Sequence, residues 1–165
     1  MVLLVQYTLI FASVLALVAL GGCFSEHSGV INIGLEGIMV MGALGGALAM
    51  KFLPATTPGI VLFILIVLAS VLVGMAFSLL LGFAAIHFNA DQTLVGTALN
   101  LMGTAAAVVI VRAINVAENP DNVSSTVVYR QAKQVFLVKI GDFEFNWFML
   151  IIVLAIIASH IVLYR

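Results

Sequence analysis

The feature that most constrains this chain is a long run without charge. From Phe52 to Ala90, thirty-nine residues contain no Asp, Glu, Lys or Arg. About 20 apolar residues suffice to cross the hydrocarbon core of a bilayer as a helix. The run is longer than one crossing and predicts an integral membrane protein. Composition agrees, because 64% of the residues are hydrophobic and only 8% are charged, against about 25% charged in soluble domains.

Five stretches are long and apolar enough to span a membrane. They are Leu3 to Gly22, Val30 to Lys51, Gly59 to His87, Gln92 to Val111 and Phe145 to Tyr164. In lipid the backbone amides of a span must be paired, so long spans without strict alternation fold as helices. We predict an all-α integral membrane fold, a bundle of about five transmembrane helices that forms one domain over residues 1–165.

Polar breaks separate the spans. Pro54 and Pro58 predict a turn between the second and third spans, and Asn89 to Asp91 predict one between the third and fourth. Residues 113–144 form the one sizeable polar loop and hold seven of the thirteen charged residues.

Within this loop two kinds of structure are expected. Asn115 to Asn122 is rich in Asn and contains Pro120, which predicts a coil. The residues from Thr126 to Phe145 alternate partly, which predicts a short hairpin or an amphipathic surface piece, with Gly141 and Asp142 as the candidate turn.

The first span has two interpretations. Leu20 to Cys23 resembles a lipoprotein cleavage box after an apolar run. Met1 to Gln6 lacks the Lys or Arg of a signal peptide, and four more spans follow. We therefore expect a transmembrane helix that Gly21 and Gly22 either end or open to close helix contact. The single cysteine excludes a disulfide within the chain and a multi-cysteine metal site.

The second span carries the most informative chemistry. Gly29, Gly34 and Gly37 disfavour a plain helix and predict a broken stretch or close backbone packing. Asn32 and Glu36 are four residues apart and share one face if the helix is continuous. A carboxyl inside an apolar span is costly, which makes it a functional candidate that faces the bundle interior or a water cavity.

A purely structural role is the alternative for each of these polar groups. Glu36 would then hydrogen-bond free backbone groups of a broken helix, and Asn32 and Asn100 would join helices by hydrogen bonds. The small-residue patterns at Gly42 to Gly46 and Gly96 to Gly103 predict packing surfaces. The three histidines are too scattered to indicate a metal site.

Two blocks of sequence resemble a known family. The stretch from Gly21 to Met39, GGCFSEHSGVINIGLEGIM, resembles the signature of bacterial ATP-binding-cassette (ABC) importer permeases of the ribose and branched-chain amino acid class, in the nucleoside and simple-sugar branch. The block from Asn89 to Leu101 is similar to that branch's loop and following helix. Such permeases continue past a residue like Arg165 into a cytoplasmic coupling helix, so the resemblance implies an N-terminal half of one permease domain.

The resemblance also implies a function and partners. The chain would be a multi-pass permease subunit of the bacterial inner membrane that translocates nucleosides or simple sugars delivered by an external substrate-binding lipoprotein. Its partners would be ABC ATPase subunits, a second permease subunit in a homo- or heterodimer, and the lipid bilayer, with no nucleic acid. No Gly-x-x-x-x-Gly-Lys motif occurs, so we expect no cofactor on this chain, with ATP and magnesium bound by the ATPase.

Three sets of residues receive expected roles, the first and third from the resemblance and the second from the glycine pattern itself. Asn32, Glu36 and Asn100 are expected along the substrate pathway. The glycines are expected to break or pack the helices: Gly29, Gly34, Gly37 and Gly96. Glu26, Asp91 and Gln92 are expected to shape cytoplasmic turns.

Two other functions stay open. A proton-coupled secondary transporter would use Glu36 as a relay, and a non-transporting membrane assembly subunit would need no pathway. An enzyme is not expected, because no nucleophile, base and orienting residue group together in the sequence.

The orientation in the membrane has conflicting indications. The resemblance places the loop at 113–144 outside the cell, together with the N-terminus if all five spans cross. The positive-inside rule points the other way, because Arg130, Lys133 and Lys139 lie in that loop and Arg112 at its edge. We follow the family pattern.

Overall fold

The structure is a computed structural model of an α-helical bundle with a β-hairpin after the fourth helix. It describes residues 2–54, 56–128, 137–140, 143–146, 152–154, 156–159 and 161. The elements are α1 (Val2–His27), α2 (Leu35–Phe52), α3 (Gly59–His87), α4 (Gln92–Glu118), β1 (Leu137–Ile140) and β2 (Phe143–Asn146). The described residues at 152–154, 156–159 and 161 are helical, and much of the fifth predicted span lies outside the described residues.

All four of these helices are long and apolar enough to cross a membrane, so the chain is a multi-pass membrane protein. The outer surface of the bundle is correspondingly apolar, with large side chains such as Ile60 and Leu72 exposed. At 1.5 Å per residue, α3 is about 44 Å long, more than the roughly 30 Å hydrocarbon core. It must therefore tilt or extend beyond the membrane.

The bounds of the first and third spans test the hydropathy pattern directly. α3 begins and ends where the sequence predicts, at Gly59 and His87. α1 continues through Gly21 and Gly22 to His27, so the glycine pair does not end it. A Cβ on Gly22 would lie 3.2 Å from Cδ1 of Leu35, the first residue of α2, which favours the close-contact interpretation.

The fourth helix runs further than predicted. α4 ends at Glu118, so the coil predicted from Asn115 is wrong for residues 115–118, and the polar loop begins at Asn119. The residue before a proline disfavours helical backbone, and here that residue is Asn119, before Pro120. The apolar pattern past Arg112 therefore continues the helix until the proline constraint stops it.

Both predicted turns are present. At the first, the Thr57 backbone N–H donates to the Pro54 carbonyl at 3.1 Å. At the second, Asn89 has φ of 47°, a left-handed conformation that asparagine tolerates after a helix end. Asp91 then caps α4, because its carboxylate accepts the backbone N–H groups of Thr93 and Leu94.

Glycines set the packing of α2 against its neighbours. A Cβ on Gly45 would lie 2.9 Å from the Ala69 carbonyl oxygen, and one on Gly42 would lie 3.3 Å from that of Ser70, so α3 approaches this face of α2 closely. The buried core joins α3 and α4 through Phe77, Leu81 and Leu99. The predicted packing surface at Gly42 to Gly46 is therefore used by α3.

The hairpin agrees with the sequence. β1 and β2 pair antiparallel, with Ile140 opposite Phe143. The two residues between the strands, Gly141 and Asp142, are the predicted turn and lie outside the described residues.

Candidate functional site

The predicted break in the second span lies before the helix. Residues 28–34, called the unwound segment below, have no helical structure and join α1 to α2. Gly29 has φ of +84°, a conformation that side chains other than glycine rarely adopt. Asn32 lies in this segment and Glu36 in the first turn of α2, so the two do not share a helix face as a continuous helix would require.

Asn100 of α4 holds the unwound segment and the start of α2. Its side-chain Oδ1 accepts the backbone N–H of Gly37 at 2.7 Å, and its Nδ2 donates to the Ile33 carbonyl at 2.9 Å. The first N–H groups of a helix lack partners within it, and Gly34 at the N-cap offers no side chain. Asn100 therefore caps α2 from a neighbouring helix.

A second anchor comes from the start of α4. The backbone N–H of Ile31 donates to Oε1 of Gln92 at 2.8 Å. Sequence reasoning placed Gln92 in a turn and missed this contact. Its position in the second family-like block, one residue after the helix cap, is the signal that could have found it.

Glycines bring the two backbones together at this place. A Cβ on Gly37 would lie 2.5 Å from the Leu99 carbonyl oxygen, and one on Gly96 would lie 2.9 Å from the Gly34 nitrogen. A Cβ on Gly103 would lie 2.8 Å from the Gly37 carbonyl oxygen. Gly37, Gly96 and Gly103 thus allow a backbone crossing that larger residues would block, whereas Gly29 serves a turn and a Cβ on Gly34 would come no closer than 3.4 Å to Gly96.

Two polar groups of the site are left free. Oδ1 of Asn32 is buried and has no hydrogen-bond partner among the described residues. Glu36 is exposed, and no hydrogen bond or ion pair of its carboxylate occurs within the part of the chain that the structure describes. A carboxylate in the first turn of a helix is favoured by the helix dipole, which offsets part of the cost of a charge at this depth.

The three predicted pathway residues therefore differ in what their side chains do. Both polar atoms of Asn100 are occupied by backbone groups, whereas Asn32 has a buried oxygen without a partner among the described residues and Glu36 is exposed. No set of three His, Cys, Asp or Glu side chains in the described ranges comes together to hold a metal ion. The arrangement offers hydrogen-bond acceptors beside an unwound backbone.

Comparison with known proteins gives a consistent result. Residues 4–165 match the family described as branched-chain amino acid transport system / permease component. The guanosine ABC transporter permease protein NupQ of Bacillus subtilis is 45% identical over 116 residues, which cover 68% of this chain and 35% of that protein. The nucleoside ABC transporter permease protein NupC of Lactococcus lactis is 36% identical over 110 residues, covering 67% of this chain and 34% of that protein.

A third relative carries a sugar name. The putative glucose ABC transporter permease protein TsgC13 of Haloferax volcanii is 37% identical over 101 residues, which cover 61% of this chain and 29% of that protein. The chain thus matches about a third of the length of each of these relatives. No solved structure matches it.

Proposed function

Because this chain belongs to the branched-chain amino acid transport permease family, we propose that it forms membrane-spanning permease structure of an ABC importer for nucleosides or simple sugars. The names of its relatives support this substrate class, since two are nucleoside or guanosine permeases and one is a putative glucose permease. The single observation that carries the proposal is an unwound segment anchored to α4, with the exposed Glu36 beside it and an Asn32 oxygen that has no partner among the described residues.

The assembly follows from the proposed class. A loaded external substrate-binding lipoprotein would dock on two permease subunits, identical or different, in the inner membrane of a bacterium. ATPase subunits on the cytoplasmic side would bind ATP and magnesium, and their closure would open the cavity between the permeases alternately outward and inward. This chain would supply the path and leave the hydrolysis to its partners.

Asn32 and Glu36 are the proposed pathway residues. Nucleosides and sugars present hydroxyl and ring N–H donors, and these pair well with amide and carboxylate oxygens. Irregular backbone at membrane depth is tolerated where it lines a cavity or is buried in protein, and broken helices form substrate sites in other transporters. In support of such a site, Asn100 of α4 holds the unwound segment at Ile33, and Glu36 is exposed beside it.

Asn100 and Gln92 act in this proposal by positioning. Their side chains fix the backbone at Ile31, Ile33 and Gly37, so they set where Asn32 and Glu36 stand. Loss of either anchor is expected to weaken transport through the geometry of the segment, with an effect that grows with substrate size.

The test is ATP-driven uptake of radiolabelled guanosine, adenosine and ribose in vesicles that hold the complete permease and its neighbouring subunits. We expect Asn32→Ala and Glu36→Gln to reduce uptake strongly, whereas Glu26→Gln, an exposed carboxyl at the end of α1, leaves it unchanged. Normal uptake by both pathway variants would remove their role. Uptake without ATPase that follows a proton gradient would replace the importer with a secondary transporter.

A further inference from the structure

A second polar cluster lies at the far end of α2 and α4. Lys51 stands in the last turn of α2, and its ammonium donates to Oδ1 of Asn115 at 3.1 Å and lies 2.9 Å from a carboxylate oxygen of Glu118. We call these three residues the clasp. Gly37 contacts α4 near Asn100, whereas Lys51 contacts it near Asn115, so α2 and α4 run parallel and the clasp joins their ends.

Two of the three clasp residues are well buried, which is unusual for polar groups. Asn115 is 2% exposed and the Lys51 side chain 12% exposed, whereas Glu118 is 56% exposed. Burying an amide and an ammonium without partners would be costly. Each must therefore keep its hydrogen bonds while the helix ends stay together.

Asn115 also holds chain that follows α4. Its Nδ2 donates to the carbonyl of Ser124 at 2.9 Å and to that of Thr126 at 2.9 Å. The Ser124 and Thr126 hydroxyls are 2.6 Å apart, and the Thr126 N–H donates to the Ser124 hydroxyl. Residues 122–127, called the strap below, are thus folded back onto the bundle in a defined conformation.

The strap crosses a groove between the two helices. The groove has a volume of about 240 Å³ and is lined by small apolar side chains of both helices, among them Ala43, Ala47, Ala107 and Val108. Ser125 and Val127 of the strap form part of its wall. Strap position and groove shape are therefore linked.

The chemistry of a single amide links the strap to the helix pair. An asparagine side chain has one acceptor oxygen and one donor nitrogen on opposite sides of its amide. The ammonium of Lys51 on α2 fixes the oxygen, and this turns the nitrogen toward the strap carbonyls. If α2 moves away, the oxygen loses its donor and the amide is free to rotate off the strap.

We propose that the clasp is a latch: it holds the strap across the groove while the ends of α2 and α4 are together, and releases the strap when they separate. No hydrogen bond joins Lys51 to the strap among the described residues, so its influence passes through Asn115. The latch does not depend on which substrate the permease carries.

The test measures distances between spin labels on the full chain in membranes, in a Cys23→Ser background. One pair joins Ile60→Cys on α3 to Val123→Cys on the strap, which does not line the groove, and a second joins Ile60→Cys to Val116→Cys on the last turn of α4. All three labelled positions are exposed, so the labels leave the packing undisturbed. The first pair reports the strap, and the second reports the helix end.

We expect Asn115→Leu and Lys51→Met to broaden the strap distance about twofold or more while the helix distance stays narrow, since local segments open more readily than whole helices. Two matched controls should change neither distance. Glu118→Gln removes the exposed partner of Lys51, and Asn100→Leu removes the equivalent amide at the other end of α4.

Two results would overturn the latch. If Lys51→Met leaves the strap distance narrow, α2 does not govern the strap, whatever Asn115→Leu does. If either variant broadens both distances equally, the change is a general loosening of the helix end. Lys51→Met and Glu118→Gln suffice for the decision should Asn115→Leu fail to insert.

Discussion

The two ends of the α2–α4 pair hold irregular chain in opposite ways. At one end Asn100 reaches two backbone groups, the Gly37 N–H and the Ile33 carbonyl. At the other end Asn115 reaches two backbone carbonyls of the strap, and its oxygen is held by Lys51, a side chain. Both asparagines are on α4, yet only the first contacts the α2 backbone directly.

The difference follows from the residues on α2. Gly37 lacks the side chain that would separate the backbones, so one short amide spans the gap. At the other end α2 presents Lys51, whose long side chain bridges the space instead. The short Asn100 side chain has few torsions and bonds two backbone groups at once, whereas contact through a lysine depends on the several torsions of its long stem. The first end is therefore suited to a fixed site and the second to movement.

The largest effect is expected where backbones touch. Gly37→Ala places a Cβ 2.5 Å from the Leu99 carbonyl oxygen and 2.9 Å from Cα of Asn100, and neither can move independently. Such overpacking should lower the free energy of unfolding by about 3 kcal/mol. Reversible unfolding in mixed detergent micelles would measure it.

The matched control for this substitution is Gly82→Ala. Nothing lies within 4 Å of a Cβ at Gly82, so the same change should leave stability unaltered or slightly raised. Equal losses at Gly37 and Gly82 would show that the close backbone contact at Gly37 does not determine the result.

The next effect separates the two asparagines. Asn100→Leu leaves the Gly37 N–H unpaired and Asn115→Leu leaves strap carbonyls unpaired, and each should cost about 2 kcal/mol. Amide hydrogen exchange should rise within residues 31–37 for the first variant and within 124–126 for the second. The two sites are about 22 Å apart along α4, so losses in the double variant should add. If either variant raised amide hydrogen exchange in both segments, the two ends of the α2–α4 pair would not be independent.

A smaller change in unfolding free energy is expected within the clasp, where it distinguishes the two partners of Lys51. Lys51→Met leaves the buried oxygen of Asn115 without a donor and should cost about 1.5 kcal/mol of unfolding free energy. Glu118→Gln should change it by less than about 0.5 kcal/mol, because a half-exposed ion pair is weak and screened by salt. Unfolding at low and high salt measures both, and a larger loss for Glu118→Gln would reverse the assignment.

The smallest effect concerns the start of α4. Asp91→Ala removes the cap that accepts the Thr93 and Leu94 N–H groups and should cost about 1 kcal/mol or less. Asp91→Asn keeps a capping oxygen and should be close to the unmodified chain. Unfolding measurements on both variants would give the stability change. Amide hydrogen exchange at Ile31, whose N–H is bonded to Gln92, would show whether the cap also positions the unwound segment.

Much of the fold was predictable because its causes are local. The charge-free run, Pro54, Pro58 and the Asn89 to Asp91 turn place α3 within its observed bounds. The hairpin strands flank the predicted turn at Gly141 and Asp142. The coil after α4 was predicted to begin at Asn115, four residues too early. Pro120 already carried the constraint that stops the helix at Glu118.

The candidate site was predictable only as a set of residue types. The glycine-rich stretch indicated a break, but not that the break precedes α2 and separates Asn32 from Glu36. Polar residues within apolar spans were recognisable as candidates, but the sequence did not reveal their hydrogen-bond partners. Asn115 was missed, because an asparagine near a proline is typical of a coil and its burial depends on a distant helix.

The sequence by itself determined that this chain lies in a membrane, which segments are long and apolar enough to span it, and to which transporter family it belongs. Hydropathy, proline and family motifs are all local features of the chain, so no knowledge of its packing was needed. Only the tertiary structure decided which groups pair. Gly37 meets Asn100 across 63 residues, and Lys51 meets Asn115 across 64. Such pairs form where helices pack, since a buried polar group must find its partner in whatever lies beside it.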